Sequence, residues 1–339
     1  MRTEAKWGAK THERGIALLA VVWTITLLFL VSLLLSQSVH TEVRAATYRK
    51  EAARAYALAR AGVEAAILQI AYPPAPDGSP RAAGRPWQHG QREATIRLGD
   101  GKAELQIVNE SGRVDLNMTG TDRLARLFEA HGVSPAAARD LARAIEHWRS
   151  PLGARAEDLS WDSFYRAQTI AGSRPMPRHA SFANVEEVLG VRGMTREIFF
   201  GTWEIGEDGN MRPKYCVGRD LTVLAHSSQI NINFASEEAL RSVPGFTTET
   251  ARALIAERRR APFTSVSDVG QRTAIVLPDE SLPFLTTAEW KMFSITATGS
   301  VEGSRVRRSV RAVVQIISRG EYRHRTVAWY DEATGEWGR

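Results

Sequence analysis

One stretch constrains this chain more than any other. From Ile16 to Ser36 there is no charged residue, no proline and no glycine. That is about 21 residues, close to the roughly 20 that a helix needs to cross a bilayer. A secretory signal has an apolar region of only about 7–15 residues and a small-x-small cleavage site behind it, so this run is too long for one. Arg2, Lys6, Lys10 and Arg14 precede it against Glu4 and Glu13, and the next ionised residues are Glu42 and Arg44. The excess of basic residues ahead of the run keeps the N-terminus cytoplasmic and exports the rest. The helical pattern then continues. No proline occurs from Gln37 to Ala71, and Gly62 is the one glycine there. Leu58, Ala61, Ala65 and Leu68 recur at helical spacing. Pro73 and Pro74 end the pattern. Ile16 to Ala71 thus predicts a single helix about 80 Å long, half in lipid and half an amphipathic stem against a head.

Strand signals lie on both sides of a long helical block. Ala94 to Glu110 alternates apolar and polar residues around Gly99-Asp100-Gly101, which predicts a β-hairpin. Met292–Glu302, Val306–Ser318 and His324–Glu332 are rich in Val, Ile, Thr and aromatics, with turn residues between them. These strands need one another and the stem helix to bury a face. The sheet would therefore be split in sequence by Val114 to Thr287. That block holds an internal repeat. Asp115-Leu116-Asn117 aligns with Asn231-Ile232-Asn233, Leu124–Leu127 with Leu240–Val243, and His131-Gly132-Val133 with Pro244-Gly245-Phe246. Ala138–Ile145 aligns with the run from Ala251, and Phe182–Val185 with Phe263–Val266. Thr119 and Ser236, allowing a shift of a residue or so, suit helix N-caps. Each copy reads as two short helices around a glycine-centred turn, which resembles the helix-hairpin-helix or SAM-like fold.

The start of the chain resembles a type IV pilin. Arg14-Gly15-Ile16-Ala17-Leu18-Leu19 resembles the prepilin peptidase site, which implies cleavage between Gly15 and Ile16 and methylation of the new N-terminus. Most pilins and pseudopilins carry Glu at the fifth mature position; here it is Ala20. A carboxylate in lipid is costly unless paired, and a subunit with nothing above it has less need of that pair. With the split head and the helical insertion, the chain resembles the K-type minor pseudopilin of type II secretion. The resemblance implies an α+β fold: a long N-terminal transmembrane helix on an antiparallel sheet, with a large, all-α, duplicated insertion. It implies a leader at 1–15, a transmembrane helix at 16–36, stem and first strands at 37–113, the inserted helical domain at 114–287 and closing strands at 288–339. It also implies helix–helix assembly at Ala20 and minor pseudopilins of the I and J types as neighbours at a pseudopilus tip. Further implied partners are the prepilin peptidase and the inner-membrane secretion platform. The chain would pass the inner membrane once, with its head in the periplasm. Calcium is the metal the resemblance brings with it, and Asp331 and Glu332 are the carboxylates in the right region.

A second reading is a membrane-anchored DNA-binding protein. Helix-hairpin-helix units can hold a phosphate on backbone N–H groups, and Arg252, Arg258, Arg259 and Arg260 would supply charge. Against it, Thr247 stands where a second glycine is usual, and Glu237, Glu238, Glu249 and Glu257 interrupt the basic stripe. The net charge of +6, from 44 basic and 38 acidic residues, decides nothing between the two. Enzyme chemistry finds no support. There is no P-loop, G-x-S-x-G, H-E-x-x-H or G-x-G-x-x-G motif. The 8 histidines are scattered, with no two at ligand spacing, and Cys216 is the only cysteine, which excludes an internal disulfide and a cysteine-based zinc site.

Overall fold

A computed structural model describes residues 10–71, 93–151, 158–170, 175–205, 211–273, 275–288, 291–317 and 323–331. Helix α1 runs from Lys10 to Ala71, 62 residues in all, or about 93 Å at 1.5 Å per residue. Its second half packs on a five-stranded antiparallel sheet of order β1-β2-β9-β10-β11. The hairpin forms where alternation predicted it: β1 is Glu93–Leu98 and β2 is Gly101–Asn109, with Leu98 opposite Gly101. The three closing strands are β9 (Met292–Val301), β10 (Arg307–Ile316) and β11 (His324–Tyr330).

The sheet and the helix come unusually close because small residues face each other. Ala52, Ala55, Ala59, Val63, Ala66 and Ala71 line the buried face of α1. Opposite them sit Ala103, Leu105 and Ile107 of β2, Ile295 and Ala297 of β9, and Val310, Ala312 and Val314 of β10. The inward residues of β2 alternate, as a sheet with one buried face requires. The approach is tightest at Gly299, where an added Cβ would lie 2.0 Å from the Ala55 carbonyl oxygen and 2.6 Å from the Ala59 nitrogen. At Gly62 a Cβ would lie 2.6 Å from that of Ala103. The glycine that interrupts the helical sequence is therefore a contact point rather than a break.

The register also fixes which end of the head carries the insertion. Gly299 meets Ala55 and Ala59, and Gly62 meets Ala103, Leu105 and Ala297. Moving from residue 299 of β9 back towards 293 therefore means moving up α1, away from its exposed apolar half. Asn109 pairs with Phe293 at that far end, and there the chain leaves β2 and later re-enters at β9.

Between those two points lies the helical block. In chain order it contains β3 (Val114–Asp115), α2 (Thr121–Ala130), α3 (Pro135–Arg149), α4 (Asp158–Ile170), α5 (Arg196–Phe200) and the β4/β5 hairpin (Thr202–Ile205 with Met211–Lys214). Next come β6 (Leu221–Thr222), β7 (Ile230–Asn231), α6 (Glu237–Arg241), α7 (Thr248–Arg258), α8 (Asp268–Arg272) and β8 (Leu285–Thr286). The block is mainly helical, with an addition that periodicity did not show. Each copy opens on a two-residue parallel bridge, β3 with β6 and β7 with β8. Strands of two residues are too short to leave an alternation in the sequence.

The two copies repeat one hydrogen-bond pattern. In the first, Asn117 Oδ1 accepts from the Phe182 N–H at 2.8 Å while its Nδ2 donates to the Phe182 carbonyl at 3.0 Å. In the second, Asn233 does the same with Phe263 at 2.8 and 2.9 Å. Leu116 N donates to Thr222 O at 2.8 Å, and Ile232 N donates to Thr286 O at 3.0 Å. The last turns of α3 and α7 supply Arg149 and Arg258, which donate to the Leu116 and Ile232 carbonyls respectively. Gly132 and Gly245 both adopt positive φ, +88° and +75°, which costs glycine little. The cap positions differ. Ser236 Oγ accepts from Ala239 N at 2.9 Å, as expected, but α2 is capped by the backbone of Gly120 rather than by Thr119.

Both copies share a single core. Leu116, Leu124, Leu127, Phe128, Leu141 and Ile145 of the first are continuous with Ile232, Leu240, Val243, Phe246, Leu254 and Phe263 of the second. Arg123 crosses the seam to the Ser228 carbonyl and lies 4.9 Å from the Phe284 ring. Arg241 returns to the Ala130 carbonyl at 3.1 Å. Burial pulls the Arg123 pKa down to about 10.

Candidate assembly surfaces

The first half of α1 stands exposed among the described residues. Leu18, Trp23, Leu28, Phe29, Leu34 and Val39 are all at least half exposed. A continuous apolar surface of this size is far beyond what a lone soluble domain presents. Among the described residues this is the one helix long and apolar enough to cross a membrane. The hydroxyls of Thr24 and Thr26 are satisfied within the helix. Thr24 Oγ1 donates to the Ala20 carbonyl at 3.0 Å, and Thr26 Oγ1 to that of Val22 at 2.7 Å. Such back-bonding hides a polar group that lipid would penalise. Ala20 is exposed on this surface, and the backbone at Gly15 and Ile16 lies within α1.

Where the insertion meets the sheet, charge is buried and matched. Glu110 accepts from Arg113 Nη1 at 3.1 Å and from the Ser294 hydroxyl of β9. Burial alone would raise the Glu110 carboxyl. Arg113, then Ser294, outweigh that and hold it below the ordinary range. Gly112 is equally constrained, since a Cβ there would lie 2.6 Å from the Phe234 carbonyl carbon. The insertion is thus locked to the head by a buried ion pair and by backbone packing.

A second matched pair lies inside the block. His131 Nε2 is 3.0 Å from Asp220 Oδ2 but not aligned for a hydrogen bond, and its Nδ1 is 2.8 Å from the Tyr215 carbonyl. Burial raises the Asp220 carboxyl, but the adjacent His131 and the nearby Arg219 pull it down to about 2.

Of the two candidate calcium residues, the described one, Asp331, is engaged in hydrogen bonds. Asp331 Oδ1 accepts from Tyr56 Oη at 2.6 Å and from Trp329 Nε1 at 2.7 Å, tying β11 to α1. Calcium takes six to eight oxygens. Asp331 belongs to no cluster of three or more ligating side chains among the described residues, and Glu332 lies outside them. The sequence also missed a grouping: His147, Asp162 and His179, each from a different segment, come together. No spacing rule would have found it, because the three lie on two helices and a loop.

The basic stripe that suggested nucleic acid is largely consumed inside the chain. Arg252 pairs with Glu237 at 3.1 Å and Arg260 with Glu257 at 3.3 Å, while Arg258 donates to the Ile232 carbonyl at 2.6 Å. These three guanidinium groups already have partners within the chain.

An exposed apolar helix long enough to cross a membrane carries a sheet on its far half, and a helical block interrupts that sheet at its outer end: the architecture is pilin-like. Comparison with known proteins agrees. Residues 230–283 match the family model described as "Type II secretion system (T2SS), protein K". The fold is similar to a chain in the crystal structure of the GspK-GspI-GspJ complex from the type 2 secretion system of enterotoxigenic Escherichia coli. The TM-score is 0.54 and the identity 15%, over 86% of this chain and 98% of that one. No curated protein matches the sequence. Over that segment the chain is similar to protein K of the type II secretion system, and it shares its fold with the solved chain.

Proposed function

We propose that this protein caps and initiates the tip of a type II secretion pseudopilus, together with minor pseudopilins of the I and J types. The observation that carries the reading is the position of the helical block. It leaves the sheet at Asn109 and returns at Met292, at the end of the head farthest from the apolar half of α1. A subunit stacked above would have to occupy that space. The similar solved chain assembles with GspI and GspJ, and a self-capping shape suits such a tip complex. The exposed half of α1 is the surface that first lies in the inner membrane and then packs on partner helices. Ala20 on that surface presents no carboxylate to a neighbour, in keeping with a subunit that has no successor. The prepilin peptidase would cut between Gly15 and Ile16, with methylation of Ile16, and leave the head in the periplasm. Work by shape and insertion, rather than catalysis, is what this reading assigns.

The test is co-expression of the full chain with I- and J-type subunits and the prepilin peptidase. The expected product is a complex of the three subunits in which this chain begins at Ile16 by mass spectrometry. A Gly15 substitution should leave the leader attached. Purification of the chain alone, a mature terminus elsewhere, or salt-dependent retention of DNA by the purified chain would each count against the reading.

A further inference from the structure

Three side chains that assembly does not use converge in the first copy of the block. His147 projects from α3, Asp162 from α4 and His179 from the loop that leads to Phe182. His147 Nε2 is 3.0 Å from Asp162 Oδ1, and His179 Nε2 is 3.2 Å from the same oxygen. Their ligating atoms all lie within 4.8 Å of one another. The side chains are 5%, 9% and 14% exposed for His147, Asp162 and His179.

The hydrogen-bond accounting at His179 does not close. Its Nδ1 is 3.1 Å from the Ser150 carbonyl, which can only accept. The ring hydrogen of a neutral imidazole therefore sits on Nδ1, and Nε2 carries a lone pair. That Nε2 is buried and makes no hydrogen bond, although a carboxylate oxygen stands 3.2 Å away. A lone pair held beside a carboxylate is repulsive unless a positive charge lies between them. His131 stands in the same way beside Asp220, but here a second imidazole shares the carboxylate: His147 Nε2 is hydrogen-bonded to the same oxygen, and a metal would take the place of that proton.

We propose that His147 Nε2, His179 Nε2 and Asp162 Oδ1 bind a divalent cation of the zinc type, with water as the fourth ligand. Nitrogen and carboxylate ligands at about 2.0–2.1 Å in a tetrahedron stand about 3.3–3.4 Å apart, close to the two spacings to Asp162. The Ser150 carbonyl provides the outer contact that sets a metal-binding histidine's tautomer. His147 is held in place by stacking on Trp161 and Tyr165, with ring centroids 5.7 and 6.2 Å away. His179 adopts φ +50°, a conformation that surrounding structure must enforce.

The site answers a need created by the repeat itself. In the second copy Phe263 follows α7 almost at once. In the first copy, the chain between α3 and Phe182 detours through α4 before Phe182 meets Asn117. The metal would pin that detour to α3 at both its helix and its returning loop.

The experiment uses the full chain purified in detergent, stripped with chelator and titrated with zinc alone or cobalt alone. One zinc per chain by elemental analysis is expected. Cobalt should give visible absorption of tetrahedral strength, and zinc should raise the melting temperature. His179→Ala, near the edge of the cluster, should fold normally by circular dichroism. It should lose more affinity than the roughly 10- to 100-fold that removal of an outer contact costs, and zinc should no longer raise its melting temperature. Asp162→Asn is the second variant, and the same losses are expected. Wild-type chain that takes up no zinc at micromolar free metal would overturn the proposal. So would zinc uptake that is unchanged in His179→Ala.

Discussion

Asn233 offers the sharpest test of what holds the helical block together, because the repeat provides its own control. Asn233→Ala removes two hydrogen bonds, at 2.8 and 2.9 Å, to the Phe263 backbone. Both Asn233 and Phe263 are buried, so water cannot replace the lost partner. One N–H and one carbonyl are left unsatisfied, at about 1–3 kcal/mol each. The expected loss is therefore about 2–6 kcal/mol, a large share of the roughly 5–15 kcal/mol that a domain has in all. Asn117→Ala breaks the equivalent pair, at 2.8 and 3.0 Å. Asn117 is only partly buried, so water can take up some of the freed groups, and the loss should be about half as large. Urea unfolding of the full chain in detergent, followed by tryptophan fluorescence, measures both. Equal losses for the two variants, or a loss under about 1 kcal/mol for Asn233→Ala, would refute the argument that burial sets the cost.

Two further predictions follow from packing and charge. Gly299→Val would drive a side chain into backbone atoms of α1, 2.0 and 2.6 Å from the new Cβ. Because backbone cannot step aside as a flexible side chain can, the cost should exceed the usual 1–3 kcal/mol of overpacking, seen as protease sensitivity at the sheet; unchanged resistance would contradict the close approach. The third concerns acid. The Asp220 carboxyl is held down at about 2 in the folded chain, against roughly 3.9 unfolded. Its contribution, on the order of 2 kcal/mol, is therefore complete above pH 4 and fades as pH falls through 2. Asp220→Asn should be less stable than wild type near neutral pH, and the gap in unfolding free energy should narrow over that window. A gap that stays constant down to pH 2 would show that Asp220 is not the titrating group.

The sequence made the framework legible wherever one period ran long enough. The helix over Ile16–Ala71, the Gly99-Asp100 turn and the three closing strands all formed where their signals lay, but the helical repeat at Leu58, Ala61, Ala65 and Leu68 runs beside the buried face, which small residues such as Ala55, Ala59, Val63 and Ala66 form instead. The duplication was visible because Asn117 and Asn233 each need a phenylalanine backbone to bind. Other differences between the copies become intelligible only in three dimensions. Asp115 accepts with both oxygens, from Asn117 N and from His226 N, whereas Asn231 accepts from Asn233 N and donates to the Ala288 carbonyl. An acid and an amide therefore occupy equivalent places for local reasons. The convergence of His147, Asp162 and His179 left no trace, since it depends on where α4 docks. Nor could spacing reveal that Arg252, Arg258 and Arg260 are spent on partners within the chain.

The pairing of β2 with β9 has an implication for how the molecule is made. Asn109 must wait for Phe293, so the inner edge of the hairpin stays open while everything between them is synthesised. Closing a loop of that length is slow compared with local pairing. The helical block can meanwhile condense around its own core. Head completion then becomes the final act of maturation, and a chain cut short anywhere before β9 would have an anchor and a crown with no neck to join them.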